Sequence, residues 1–138
     1  MSPAGPVSRM AEILVAGETL IDLLPGAGET LRDVDGFVHR PGGAPANVAV
    51  GLARLDAAPA FWTRVGDDPF GEFLRETLVD EGVPTAAFEG VDGNTTLAVV
   101  SPPGVDGRRF RFYGSGDATF GFERESVPAE TLGSASWV

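Results

Sequence analysis

The sequence predicts an α/β fold built on a parallel sheet. Through residues 13–82, short apolar runs alternate with helical patterns, and this alternation is typical of βαβ units. Two β-rich runs joined by a turn then follow, which indicates a hairpin attached to the α/β core. The chain has 138 residues, 43% of them hydrophobic, so it is long enough for one domain with its own core.

The first elements are two strands and a helix. Residues 13–16 are apolar throughout and end at Gly17, a pattern typical of a strand buried on both faces. Residues 20–24 continue as a second extended segment, and residues 35–40 alternate weakly like a short, half-exposed strand. Residues 46–55 are apolar almost all round, which predicts a buried helix closed by Asp56.

The next strand and helix have clear boundaries. Residues 60–65 predict a strand, and residues 70–81 predict a helix that Asp67 or Asp68 caps and Gly82 ends. Five side chains recur at helical spacing and predict its buried face: Phe70, Phe73, Leu74, Thr77 and Leu78.

The last third of the chain is predicted to be mostly extended. Residues 95–101 and 108–113 form the hairpin, and their connection ends in Asp-Gly, a common turn sequence. Residues 126–132 predict a short helix, and residues 136–138 open another strand. Residues 1–11 contain three Gly or Pro residues and are predicted to be a flexible tail.

The charge balance excludes several classes of function. The chain has 20 acidic and 10 basic residues, and its net charge of −10 would repel nucleic acid and anionic membranes. Lys is absent, which removes a Walker-type phosphate loop and Schiff-base chemistry. Cys is absent too, so disulfides and thiolate metal sites are excluded. With no secretory signal, we expect a cytoplasmic protein.

A glycine-rich segment is the strongest candidate for ligand binding. Gly42 and Gly43 allow backbone amides to approach a ligand closely, and they lead directly into a predicted helix N-terminus. The Asn47 amide can donate and accept hydrogen bonds at once, which suits a pair of hydroxyl groups. The alternative is a structural glycine turn in which Asn47 satisfies a nearby loop.

Carboxylates supply the other candidates. Asp22 follows the first strand, near the strand ends where α/β folds bind ligands, and it could accept hydrogen bonds from two sugar hydroxyls. Its alternative role is to cap a loop. Asp67 and Asp68 could suggest a metal pair, but helix capping already explains them.

Three segments resemble one enzyme family. Residues 13–22 (ILVAGETLID), 42–55 (GGAPANVAVGLARL) and 65–82 (VGDDPFGEFLRETLVDEG) look like the N-terminal half of ribokinase-like, phosphofructokinase-B-type carbohydrate kinases. Bacterial fructokinases are the most similar members. The resemblance covers about residues 12–138.

The resemblance implies a fold, a reaction and a site. It implies a Rossmann-type three-layer α/β sandwich with a small β-sheet lid, and transfer of a phosphoryl group from ATP, with Mg²⁺, to a hexose such as fructose. The lid strands would be residues 20–24, 37–40, 95–101 and 108–113, and relatives often dimerise through this lid. By position, the residues that bind the sugar hydroxyls would be Asp22, Gly42, Gly43 and Asn47.

The sequence also departs from the family pattern. Asp56 stands where the family usually has Gly or Ser, Ala44-Pro45 where ribokinases often have Lys, and Gly114 where fructokinases and ketodeoxygluconate kinases commonly have Arg. The family's Gly-Ala-Gly-Asp segment with the catalytic Asp, and its Asn-x-x-Glu magnesium motif, do not occur in these residues. We therefore expect no catalytic residue in the chain and no activity from it alone.

Other functions remain open at this point. A related kinase could act on ribose, a nucleoside or 2-keto-3-deoxygluconate. A non-catalytic module that binds sugar or dimerises is the alternative from another class. A dinucleotide-binding domain is disfavoured, because no G-x-G-x-x-G turn follows the first strand.

Overall fold

A computed structural model describes residues 13–57, 59–104, 107–114 and 117–138. The predicted tail over residues 1–11 lies outside them. In chain order the strands are β1 (Leu14–Ala16), β2 (Leu20–Pro25), β3 (Phe37–Gly42), β4 (Ala60–Gly66), β5 (Phe88–Val91), β6 (Leu97–Val100) and β7 (Phe110–Tyr113). The helices are α1 (Ala44–Arg54), α2 (Pro69–Asp80), α3 (Asp117–Phe120) and α4 (Ala129–Ser134).

The described strands form two sheets. The first is parallel, with the order β1-β4-β5. The second has the order β3-β2-β6-β7, in which β2 and β6 are parallel and both outer pairs are antiparallel. The predicted α/β class and the predicted hairpin are therefore both confirmed. In chain order the chain passes between the two sheets three times, from β1 to β2, from β3 to β4 and from β5 to β6.

The described residues form two apolar clusters, and β4 contributes to both. One cluster joins α1 and α2 to the parallel sheet and consists of Ala46, Ala49, Phe61, Leu78 and Val83. The other joins β2 of the second sheet to β4 and α2 and consists of Ile21, Val65 and Leu74. Helix α2 contributes to both clusters, so it holds the two sheets together through burial of apolar area.

Helix α2 confirms the prediction from its periodicity. It begins at Pro69 and ends at Asp80, within one residue of the predicted limits. Of the five predicted side chains, Leu74 and Leu78 are buried and Phe70 is 36% exposed. Asp68 is the N-cap, since its Oδ1 accepts a hydrogen bond from the Gly71 N–H at 2.8 Å.

The prediction that α1 is buried all round is wrong. Ala46 and Ala49 are buried against the parallel sheet, but Val48 is 54% exposed. Val48 and Leu52 line an apolar groove of about 500 Å³ together with β1 and Trp137. A helix packed on one sheet covers a single face, whatever the composition of its other faces. Asp56 ends the helix as predicted and adopts a left-handed conformation, with φ of 58°.

Three other elements differ from expectation. Strand β5 was not predicted, because Glu89 and Gly90 break any alternation. The predicted helix over residues 126–132 is instead α4, preceded by a 3-10 turn (Arg124–Ser126), because Pro128 cannot lie inside a helix. The predicted strand over residues 136–138 is limited to a parallel bridge between Trp137 and Ile13.

No helix in the described part of the chain is long and apolar enough to cross a membrane.

Candidate functional site

The candidate site lies where β2, the end of β3 and the start of α1 meet. Asp22 is on β2, and Gly42 is the last residue of the neighbouring β3, whose antiparallel register pairs it with Leu20. Leu20 and Asp22 are two positions apart on one strand, so both face the same side of the sheet. The Asp22 carboxylate therefore lies against the backbone of Gly42, where any Cβ atom would clash with it.

The backbone of Gly43 also lies close to a neighbouring segment. It is the N-cap of α1 with φ of 105°, a conformation that side chains disfavour. A Cβ atom here would lie 2.5 Å from the Glu18 carbonyl oxygen and 3.0 Å from Thr19 Cα. The turn after β1 thus packs directly on the loop that leads into α1. The buried Thr19 hydroxyl strengthens this contact by donating to the Gly42 carbonyl at 3.3 Å.

Asn47 lies in the first turn of α1. Its backbone N–H donates to the Gly43 carbonyl at 3.0 Å, and its side chain is exposed and free to meet a ligand. With Gly42 and Thr19 it lines a pocket of about 360 Å³, which α2 borders through Thr77 and Leu78. Of the four predicted sugar-binding residues, only Gly42 and Asn47 line this pocket. Asp22 and Gly43 do not, and Asp22 is linked to it through its contact with Gly42.

The pKa of Asp22 is shifted although no charged partner appears among its described contacts. Burial raises the pKa of its carboxyl, because the apolar surroundings disfavour the charged form. Arg40 lies opposite on β3, but its Nη1 donates to the neighbouring His39 carbonyl at 3.2 Å. A partly desolvated carboxylate of this kind can accept hydrogen bonds from hydroxyl groups of a ligand.

An aromatic side chain lies on the same face of the second sheet as Asp22. The registers place Asp22, Ala98 and Phe112 in one row across β2, β6 and β7, so the three share a face. Phe112 contacts Phe120 of α3 edge to face, with centroids 6.4 Å apart. The alternation of residues 110–113 places Phe110 and Phe112 on one face of β7, whereas Phe120 is brought to Phe112 only by the tertiary fold.

Asp68 has a larger network than its predicted cap. It also accepts hydrogen bonds from the Thr95 N–H at 2.6 Å and the Thr95 hydroxyl at 2.8 Å. Burial tends to raise the pKa of Asp68, but the hydrogen bonds from Thr95 and Gly71 outweigh it and lower that pKa. Capping therefore explains Asp68. The described residues contain no group of three or more acidic or His side chains placed to hold a metal ion.

The described residues thus form an α/β domain in which a second, mixed sheet lies beside a parallel core. The family model for pfkB family carbohydrate kinases matches residues 10–138, and the chain belongs to this family. The resemblance in the sequence is thereby confirmed.

Individual relatives support the same assignment. The chain is 38% identical to the fructokinase of Escherichia coli over 119 residues, which is 86% of this chain and 37% of that protein. It is 36% identical to the probable fructokinase-6, chloroplastic, of Arabidopsis thaliana over 134 residues, 96% of this chain and 35% of the relative.

A solved structure agrees. The fructokinase of Xylella fastidiosa with bound ATP matches with a TM-score of 0.78 and 35% identity, covering 91% of this chain and 37% of that one. The chain thus spans somewhat more than a third of the length of the relatives it matches.

Proposed function

We propose that this chain forms the sugar-binding part of an ATP-dependent, fructokinase-like kinase that phosphorylates a hexose hydroxyl. The observation that carries the proposal is the Asp22 carboxylate held against Gly42 at the N-terminus of α1. The fructokinase names of its relatives favour fructose over ribose, a nucleoside or 2-keto-3-deoxygluconate. Gly114 in place of Arg also argues against an acidic sugar.

In this proposal each site residue has a defined task. Ionised Asp22 accepts hydrogen bonds from two neighbouring sugar hydroxyls, which fixes the orientation of the ring. Gly42 and Gly43 let the main chain approach the sugar closely, and Asn47 donates to one hydroxyl while it accepts from another. Phe112 offers an apolar surface to the C–H side of the sugar. Such a mixture of few polar groups and apolar surface is typical of small-molecule sites.

The second sheet is the proposed lid over the sugar. Closing it would exclude water, so that ATP would transfer its phosphoryl group to the sugar and not to water. Phe110, Phe112 and Tyr113 of its edge strand β7 are each more than half exposed. An exposed apolar edge strand favours pairing with a second copy, which supports a homodimer through the lid.

ATP is the proposed phosphoryl donor, in line with the family and with the ATP-bound relative. We assign no Mg²⁺ ligand and no catalytic base to this chain, because the Gly-Ala-Gly-Asp and Asn-x-x-Glu segments to which the family resemblance assigns these tasks do not occur in its sequence. Transfer depends on such groups for charge stabilisation. The 138-residue chain alone is therefore expected to bind sugar without phosphorylating it. A cytoplasmic location remains a prediction from the sequence.

Calorimetric titration of the purified chain with a panel of sugars tests the proposal. We expect saturable binding of fructose, weaker binding of ribose and 2-keto-3-deoxygluconate, and no ATP-dependent formation of fructose phosphate. Absence of binding for every sugar would refute the sugar-binding assignment. Stronger binding of ribose or of the acidic sugar would keep the family but change the substrate.

Replacing Gly42 tests how Asp22 is held. Gly42→Ala places a methyl group where the Asp22 carboxylate now lies, so the carboxylate must move away. Loss of one well-placed charged hydrogen bond predicts about tenfold weaker fructose binding, with little change in melting temperature. The matched control is Gly36→Ala, where the added methyl meets nothing within 4 Å. Equal affinity in both variants would show that Asp22 need not lie against Gly42.

A further inference from the structure

A set of buried and partly buried hydrogen bonds connects the segment before β6 to β4 and α2. Asp68 accepts from the N–H and the hydroxyl of Thr95, and the Thr95 hydroxyl in turn accepts from the Gly66 N–H at 3.2 Å. Asp68 also caps α2 through Gly71. We call these four residues, Gly66, Asp68, Gly71 and Thr95, the Asp68–Thr95 clamp. Its members join the end of β4, the beginning of α2 and the segment that precedes β6.

The clamp is closely packed. A Cβ atom on Gly66 would clash with the Gly93 carbonyl and lie 2.5 Å from the Thr95 nitrogen. A Cβ atom on Gly71 would clash with the Gly66 carbonyl. Thr95 itself is only 3% exposed. Three backbone segments therefore contact one another directly, and Thr95 has little freedom to shift relative to the parallel sheet.

Two residues, Thr96 and Ile21, connect the clamp to the candidate site. The Thr96 carbonyl, next to Thr95, accepts a hydrogen bond from the Ile21 N–H at 3.0 Å. Ile21 precedes Asp22, and the parallel register then pairs Asp22 with Ala98. The clamp therefore fixes the register in which β6 pairs with β2, and β2 is the strand that carries Asp22.

We propose that Asp68 and Thr95 are positioning residues for the sugar site. They anchor the second sheet on the parallel core and thereby keep the Asp22 carboxylate against Gly42. The role in sugar binding rests on the proposed function. The structural coupling between the clamp and β2 can be measured without any ligand. Neither residue contacts the sugar in this account.

Thr95→Val tests the clamp with a side chain of nearly the same shape. It removes the hydroxyl, and so the hydroxyl's bond to Asp68 and the acceptor for Gly66, while the Thr95 N–H can still donate to Asp68. We expect fructose affinity to fall about tenfold, and hydrogen exchange of the Ile21 amide to accelerate about tenfold, in the folded protein. Thr95→Ser keeps the hydroxyl and is expected to restore both values to within about twofold.

A core variant separates positioning from general loss of stability. Val83→Ala destabilises the cluster around α1 and α2 without touching the clamp. At a temperature where every variant is folded, we expect it to keep wild-type fructose affinity and Ile21 exchange.

The outcomes distinguish the two proposals. Wild-type exchange of the Ile21 amide in Thr95→Val, or equal acceleration in Val83→Ala, would overturn the clamp inference whether or not sugar binds. Accelerated exchange with unchanged fructose affinity would overturn its role in the sugar site. Failure of the unmodified chain to bind fructose would refute the proposed function, while the exchange data would still decide on the mechanical link.

Discussion

Replacing Asp22 by Asn is expected to reduce fructose binding by about 100-fold or more without unfolding the chain. Asn has the same shape but only one acceptor oxygen and no charge. Hydrogen bonds from hydroxyls to a charged acceptor contribute about 1.5–3 kcal/mol each. Replacing the carboxylate by a neutral amide removes much of this energy from two such bonds. Calorimetric titration of both proteins with fructose measures the effect. Retention of wild-type affinity would remove Asp22 from the site.

The pH dependence of folding stability shows whether Asp22→Asn weakens fructose binding at the site itself or by destabilising the fold. Burial raises the pKa of Asp22 in the folded chain above its usual 3.8, so the folded state holds the proton more tightly than the unfolded state. The unfolded state then binds fewer protons, and stability decreases as the pH rises from about 4 through the raised pKa. Above that window we expect Asp22→Asn to be at least as stable as the unmodified chain.

Asp33→Asn is the matched control for these melting curves. The backbone hydrogen bond from Thr30 lowers the pKa of Asp33, although desolvation opposes it. Its contribution to stability is therefore present above pH 3.8 and is lost as the pH falls, the opposite sign to Asp22. Asp33 is exposed and its described side-chain hydrogen bonds come from Thr30, which is not a candidate site residue, so fructose affinity should not change. A loss of stability in Asp22→Asn at neutral pH would contradict this account of Asp22.

Replacing Gly43 by Ala is expected to cause the largest loss of stability at the site. Its φ of 105° is strained for any residue with a side chain, and the new methyl would lie 2.5 Å from the Glu18 carbonyl oxygen. Backbone strain and overpacking each cost about 1–3 kcal/mol, so we expect a total of roughly 3 kcal/mol or more. Urea unfolding at constant temperature measures this change in the free energy of unfolding.

Gly51→Ala provides the control within the same helix. No atom lies within 4 Å of the position that its methyl would occupy, and its backbone is helical. This substitution should stabilise the chain by about 0.5–1 kcal/mol, because Gly in a helix interior costs that amount relative to Ala. Similar unfolding curves for the two variants would show that the loop before α1 is not constrained as described.

Local patterns predicted the elements well. The spacing along residues 70–81, with Pro69 before them and Gly82 after them, predicted α2 because helix periodicity and capping depend only on neighbours in sequence. Strand β5 was missed because its four residues have no periodic signal, and its pairing with β4 stabilises it. The burial of α1 was overestimated because composition does not say which face meets the sheet.

The sequence named candidate site residues, whose role in binding stays a prediction, but it did not show how they are arranged. Asp22 and Gly42 each carried a recognisable signal, yet their contact depends on the antiparallel register between β2 and β3, which is set by tertiary structure. In the same way, the sequence predicted the cap at Asp68 but not its bonds to Thr95, 27 residues further along the chain. Contacts of this range have no signature in a single sequence.

Residue-resolved NMR titration of the 138-residue chain with fructose tests the central claim most directly. The account predicts saturable shifts concentrated on Asp22, Gly42, Gly43 and Asn47, and loss of those shifts in Asp22→Asn while its spectrum stays that of a folded protein. Saturable shifts that map to another surface, or that persist unchanged in Asp22→Asn, would contradict the assignment of the sugar site to the junction of β2, β3 and α1.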